Sequence, residues 1–168
     1  MSHRLSTPHR PQLPAGRRRF GARLPIVLFR GGLGRALGKR LLLLHHTGRI
    51  SELGRRTVLE VVEHDAAHGS WIVASGFGPR ADWYRNLHAE PKTVIQVGNR
   101  HRAVTAHFLT PDDGAEIMAG YAQRHPRTAQ RLCTFMALPS DGSEAGFREV
   151  GGSIPFVRLD ADTDPRLP

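Results

Sequence analysis

From residue 40 onward the chain is cut into short apolar runs by tight polar turns, and this punctuation limits the fold more than any other feature. RLLLLHHT (40–47), RRTVLEVVEH (55–64) and SWIVAS (70–75) are rich in Leu and β-branched residues, as half-buried strands are. DAAHG (65–69) is turn chemistry, and GFGP (76–79) breaks the third run. KTVIQV (92–97) and RHRAVTAHFL (100–109) flank Gly98 and Asn99, a two-residue connection suited to a tight hairpin. IPFVRL (154–159) supplies a last strand. Strands joined this closely pair antiparallel. The expected class is therefore α+β and mainly β, with about six antiparallel strands and inserted helices. Closing such a sheet into a small barrel removes its exposed edges; an open α+β sandwich is the alternative. Without repeated β-α-β alternation a doubly wound fold is disfavoured.

The helices are read from different signals. ADWYRNLHAE (81–90) places Trp83, Asn86 and Leu87 on one face and stops at Pro91. TPDD opens another helix, with Thr110 as N-cap, Pro111 at the first helical position and two acids in the first turn. It runs to about Arg124, and a further helix covers roughly 127–137. LPSDGSEAG (138–146) reads as loop. In LPIVLFRGGLGRALG (24–38), Ile26, Phe29, Leu33 and Leu37 recur at helical spacing. Its four glycines each cost about 1 kcal/mol relative to Ala. The expected organisation is a disordered basic tail over 1–23, one domain over 24–159 and a C-terminal tail over 160–168.

Charge is placed unevenly. Eleven of the 24 Lys and Arg, and none of the 15 acids, fall in residues 1–51. The formal charge of +9 thus belongs to the N-terminal third. Such an arm meets nucleic acid, an anionic membrane, or nothing. It lacks the interleaved aromatics that stack bases, so no specific nucleic acid is expected. An anionic membrane surface met by residues 1–40 stays a candidate. No apolar stretch reaches the length of a membrane span, and no secretory signal is read. Cys133 is the single cysteine, which excludes an internal disulfide framework and fits a reducing compartment. The expected location is cytoplasmic, with peripheral attachment to the inner face of the membrane as an option.

Familiar catalytic arrangements are missing. His45 and His46 are adjacent in a strand, so their rings face opposite sides and cannot chelate one ion. His64 and His68 straddle a turn without a thiolate or clear carboxylate partner, and no metal site is expected. Cys133 stands among Leu132, Phe135 and Met136, the setting of a buried thiol. No G-x-S-x-G elbow is present, and neither glycine cluster carries a dinucleotide fingerprint. The stretch HHTGRISELGRR (45–56) is more informative. Thr47, Gly48, Arg49 and Ser51 can turn donors outward, while Arg49, Arg55 and Arg56 add charge. A phosphate or carboxylate could be held there, or the segment is a solvated hairpin turn. Arg55 and Arg56 should face opposite sides of their strand.

LLLLHHTGRISELGRRTVLEVV, followed by WIVASGFGPRADWYRNLHAEPKTVIQVGNR, resembles the deazaflavin-dependent nitroreductase family. The likeness rests on the T-G-R turn, the R-R-T-V strand, the A-S-G-x-G loop and D-W-Y-R-N-L in this order. It covers roughly residues 24–159. It implies a split β-barrel like that of flavin-mononucleotide-binding oxidoreductases, and coenzyme F420, an 8-hydroxy-5-deazaflavin, as hydride carrier. The acceptor would be a quinone, an enone or a nitro compound. By this resemblance Arg49 and Ser51 grip the cofactor's phosphate and glutamyl tail. Arg55, Arg56, Thr57, Val58 and Glu60 line the groove. Ala74, Ser75 and Gly76 approach the ring, with Ser75 orienting it. Trp83, Tyr84, Arg85 and Asn86 complete the phosphate side. Tyr121 is the one tyrosine on the helical segment that faces substrate in some members, and His125 is a candidate proton donor. The sequence departs from the family where Ile50 replaces a basic residue, and where Glu52 and Gly54 stand in place of Gly and Pro. Flavin mononucleotide is the alternative cofactor. The rival functions are a cofactor carrier with little turnover and a nucleic-acid-binding protein. The chain would be a monomer or a homodimer.

Overall fold

The computed structural model describes residues 40–163. The helix read over 24–38, the tail read over 1–23 and the last residues of the chain lie outside that range. Six strands form the frame: β1 (Leu41–Thr47), β2 (Gly54–Asp65), β3 (Ser70–Ala74), β4 (Lys92–Val97), β5 (Arg100–Phe108) and β6 (Phe156–Ala161). They close into a barrel in the order β1-β2-β3-β6-β5-β4. Every pairing is antiparallel, including the β1–β4 seam that joins Leu42 to Val97. The closed alternative is thus the one adopted, and every described strand has a neighbour on both sides. β6 runs to Ala161, and the Asp162 N–H donates to the Ala103 carbonyl at 3.0 Å, so the barrel continues past residue 159.

Side-chain alternation builds two cores. Leu42, Leu44, Leu59, Val73, Ile95, Val104, Val157 and Leu159 fill the barrel. The opposite face of β2, β3 and β6 presents Val62, Ile72, Ala74 and Phe156 to a layer of helices. This is the two-faced burial that period-2 strands allow. A register shift between Val61 and Glu63 marks a bulge in β2, which bends the strand around the barrel.

Helix α1 (Asp82–Ala89) follows a short 3-10 turn at Gly78–Arg80, and α2 (Pro111–Arg124), α3 (Pro126–Phe135) and α4 (Glu144–Ser153) form the outer layer. Thr110 caps α2 as read: its hydroxyl accepts from the Asp113 N–H and Asp113 reaches back to the Thr110 N–H. Helix α4 corrects the sequence reading, which has loop over 138–146. Ser143 caps it by accepting from the Gly146 N–H at 3.0 Å. Three glycines depress its helical signal, and packing explains one of them. Gly151 lies so close to Gly114 of α2 that a β-carbon on Gly114 would stand 2.5 Å from the Gly151 carbonyl oxygen. Cys133 is fully buried in this outer core, as read.

Candidate functional site

A groove runs beside β2 and β3 in two compartments that share Glu60, Ala74 and Gly76. The first, of about 410 Å3, is cationic at its wall, where Arg55, Arg56 and Thr57 of β2 meet Phe77, Asp82 and Trp83. The second, of about 160 Å3, is apolar, with Val62, Met118, Leu132, Met136 and Phe156 around it and the Tyr121 ring at its side. Burial, with the Glu60 carboxylate nearby, raises the Tyr121 hydroxyl above its usual pKa.

The stretch that joins β1 to β2 is a closed hairpin turn. The Gly48 N–H donates to the Leu53 carbonyl at 2.9 Å, and the Glu52 N–H donates to the Gly48 carbonyl at 2.7 Å. Glu52 takes a left-handed φ of 57°. Arg49 faces α1 here: its main-chain N–H and its Nη1 both donate to Asn86 Oδ1, at 3.1 and 3.0 Å, and Nη1 pairs with Asp82 at 3.2 Å. The guanidinium thus fastens the turn to α1 through Nη1. Ser51 accepts from Arg55 Nη2 at 3.3 Å. The Arg56 side chain makes no hydrogen bond or ion pair among the described residues, and Arg56 borders the larger compartment.

Beneath this wall lies a buried polar chain. Asn86 Nδ2 is 2.9 Å from His46 Nδ1, and His46 Nε2 is 3.1 Å from Thr57 Oγ1. Asn86 and His46 are 2% and 7% exposed. Burial and the Arg55 cation lower the His46 pKa to about 4, against a smaller opposing pull from Asp82. The ring is therefore neutral at pH 7.

The remaining expected residues divide. Val58, Glu60, Ala74, Gly76 and Trp83 border the larger compartment. Glu60 also pairs with Arg40 at 3.3 Å. Trp83 belongs to the barrel core at the same time. Ser75 borders neither compartment: its hydroxyl donates to the Gly78 carbonyl at 2.6 Å and its N–H to the Pro155 carbonyl at 2.9 Å. Both of its donors are engaged by main-chain carbonyls, one in its own loop and one just before β6. Tyr84 packs edge-on against Trp83 and Phe108, and Arg85 is exposed; neither borders the groove. His125 is exposed at the α2–α3 junction with its ring 5.3 Å from that of Tyr121, outside both compartments. His68 does have a carboxylate partner, Asp65 at 2.6 Å, contrary to the sequence reading. Among the described residues no three His, Cys, Asp or Glu come together as a metal site. No described helix is long and apolar enough to cross a membrane.

Sequence reasoning missed His46, Asp82, Met118, Leu132, Met136 and Phe156. A signal for His46 exists: it continues the inward series Leu42, Leu44, so a polar side chain stands where the alternation calls for an apolar one.

Comparisons with known proteins bear on the family and the fold. Over 99 residues the chain is 39% identical to the F420H(2)-dependent quinone reductase Rv1261c of Mycobacterium tuberculosis (strain ATCC 25618 / H37Rv), a match that spans 54% of this chain and 64% of that relative. A putative F420H(2)-dependent quinone reductase of the same strain, Rv3178, is 35% identical over 78 residues, covering 45% of this chain and 64% of its own length. The chain thus spans less than two thirds of the relatives it matches. Among solved structures, the haem-storage protein HutZ from Vibrio cholerae shares the fold at a TM-score of 0.50 and 13% identity, over 85% of this chain and 92% of its own. The model of the family F420H(2)-dependent quinone reductase matches residues 26–136, and the chain belongs to that family.

Proposed function

We propose that this protein transfers a hydride from reduced coenzyme F420 to a quinone-type acceptor, with the two compartments of the groove dividing the work. The carrying observation is the groove's polarity: an arginine wall and an apolar cavity meet at Glu60, Ala74 and Gly76. A deazaflavin with an anionic tail needs these two environments side by side. The residues fit it. A β-carbon on Gly76 would stand 3.7 Å from Met136 Sδ, inside the space that a flat ring would occupy. When bound, the cofactor supplies the hydride.

The protein supplies grip, orientation and dryness. Arg56 offers charge-assisted hydrogen bonds to the anionic portion, and Arg55, on the other side of the strand with Nη2 on Ser51, adds charge at the edge of the compartment. Met118, Leu132, Met136 and Phe156 exclude water from the acceptor's seat. The Tyr121 hydroxyl, which makes no hydrogen bond among the described residues, is the polar group aligned with an acceptor carbonyl. Two-electron reduction of a quinone also consumes a proton, and a hydroxyl hydrogen-bonded to that oxygen delivers it from solvent.

The test is a fluorescence titration of the full chain with oxidised coenzyme F420 and, separately, flavin mononucleotide, then turnover of reduced F420 with quinones. Tight F420 binding and quinone turnover are expected. Tyr121→Phe should lower kcat/KM for quinone about tenfold while leaving F420 binding unchanged. Binding of flavin alone would keep the fold and overturn the cofactor. Tight binding without turnover by any acceptor would favour a carrier.

A peripheral position on an anionic membrane is supported by the β1–β2 turn. Ile50 is 85% exposed and Leu53 64% exposed, close to Arg55 and Arg56 at the mouth of the groove. An apolar tip with a cationic collar suits a lipid surface. Salt-sensitive cosedimentation with anionic vesicles, reduced in an Ile50→Ser, Leu53→Ser variant, is the expected result. Equal binding to neutral vesicles at high salt would rule it out.

A further inference from the structure

The hydrogen bonds below the arginine wall have only one self-consistent direction. Two donors, the Arg49 main-chain N–H and Arg49 Nη1, converge on one side-chain atom of Asn86. That atom must be the carbonyl oxygen, because an amide nitrogen cannot accept them. The Asn86 NH2 group is then the donor to His46, so His46 Nδ1 carries no proton. A neutral imidazole keeps its proton on the other nitrogen. His46 Nε2–H therefore donates to Thr57 Oγ1. Thr57 accepts there and makes no other side-chain hydrogen bond among the described residues. Its own O–H remains to be given away, and Thr57 borders the compartment that Arg55 and Arg56 border.

We propose that Asn86 and His46 act as a directional relay that makes the Thr57 hydroxyl a hydrogen-bond donor to the groove, so that the site selects an anionic, acceptor-only oxygen at that point. This rests on the reading of the arginine compartment as the seat of the cofactor's anionic portion. The selection is chemical: a phosphate or phenolate oxygen receives the Thr57 proton together with the arginine donors, whereas an N–H or ammonium group leaves that proton without an acceptor and meets the arginine charge. His46 is a positioning residue, since it acts through Thr57.

The relay depends on a neutral ring. Protonation would put a hydrogen on Nδ1, facing the Asn86 NH2 group, and break the chain at its middle. The charged and titratable groups around His46 are Arg55 on β2, Asp82 on α1, the adjacent His45 on β1 and Arg49 in the turn. Burial, Arg55 and His45 keep the proton off, and Asp82 opposes them.

The first test needs no ligand. Two-bond 1H–15N spectra of the full chain should show His46 as the neutral Nε2–H tautomer from pH 8 to pH 5. A neutral Nδ1–H tautomer, or an imidazolium at pH 6, would overturn the relay. The second test is F420 binding. Thr57→Val and His46→Leu should each weaken it about tenfold, and the double variant should be no weaker than either, because the two residues act as a unit. Thr57→Ser and His46→Gln keep a donor in the same direction and should restore affinity. Thr57→Val binding as tightly as the native chain would overturn the proposal. Failure of the native chain to bind F420 would instead remove the proposed function, and the tautomer spectrum alone would then decide the relay.

Discussion

Arg49 meets Asn86 through two donors at once, its main-chain N–H at 3.1 Å and its Nη1 at 3.0 Å. The pair ties the β1–β2 turn to the first turns of α1 across 37 residues of chain. It holds Arg49 against α1, while Arg55 and Arg56 border the larger compartment.

That division separates two variants. Asn86→Ala strands Arg49 donors and the buried His46 nitrogen, and should cost about 1–3 kcal/mol of stability. Arg56→Gln removes a cation whose side chain makes no hydrogen bond or ion pair among the described residues and only helps to keep His45 uncharged. It should leave the urea midpoint unchanged while weakening F420 binding about tenfold. Urea denaturation and cofactor titration of both variants check the split. An Arg56→Gln chain that binds F420 normally would return the anion grip to the turn.

The buried imidazole makes stability depend on pH. Its pKa is about 4 in the folded chain, against roughly 6.5 when unfolded. Between these values the unfolded chain binds the extra proton, so stability rises with pH across this window. Its contribution is complete above pH 6.5 and is lost as pH falls toward 4. The ceiling is about 3 kcal/mol. Urea denaturation from pH 4.5 to 7.5 should show this slope in the native chain and a flatter one in His46→Gln. Equal slopes would mean that the ring is not held neutral.

Gly151 and Gly114 set the distance between α4 and α2. The atoms that a β-carbon on either residue would meet include the other helix's backbone, which cannot rotate aside. Gly151→Ala should destabilise the protein by about 1–3 kcal/mol, although alanine favours a helix. Gly152→Ala, with nothing closer than 3.6 Å, should be neutral or slightly stabilising. Thermal melts compare the two directly, and equal melting temperatures would show that the helices can part at no cost.

Glu52 holds a left-handed φ of 57°, where a β-carbon costs roughly 1–2 kcal/mol. Glycine removes that strain and gives back part of the gain as unfolded-chain entropy. Glu52→Gly should therefore stabilise the chain by about 0.5–1 kcal/mol. It should also strengthen F420 binding, because an acid near an anionic tail is lost. Unchanged affinity at low salt would place Glu52 out of reach of the ligand.

Legibility in the sequence followed locality. Strand positions, the Thr110 cap and the burial of Cys133 depend on neighbours a few residues away, and all three are as read, apart from a two-residue shift of the last strand. Helix α4 escaped because SDGSEAG carries the chemistry of a turn, while the reason for its Gly151 lies on α2. Arg49 and Ser75 look available along the chain, yet Arg49 gives its main-chain N–H and Nη1, and Ser75 its hydroxyl, to residues of the fold. His125 has a fitting intrinsic pKa for a proton donor, but the α2–α3 junction turns it to solvent.

By itself the sequence determined the antiparallel strands, the turns between them, the concentration of positive charge in the first third and the family. Alternation, turn chemistry and residue order are properties of the chain. Only the tertiary structure decided that the barrel closes through β1 and β4, that arginine and apolar compartments meet at Gly76, and which donors remain free. A hydrogen bond saturates its donor, and the acceptor that does so, as Asn86 does for Arg49, is chosen by proximity in space.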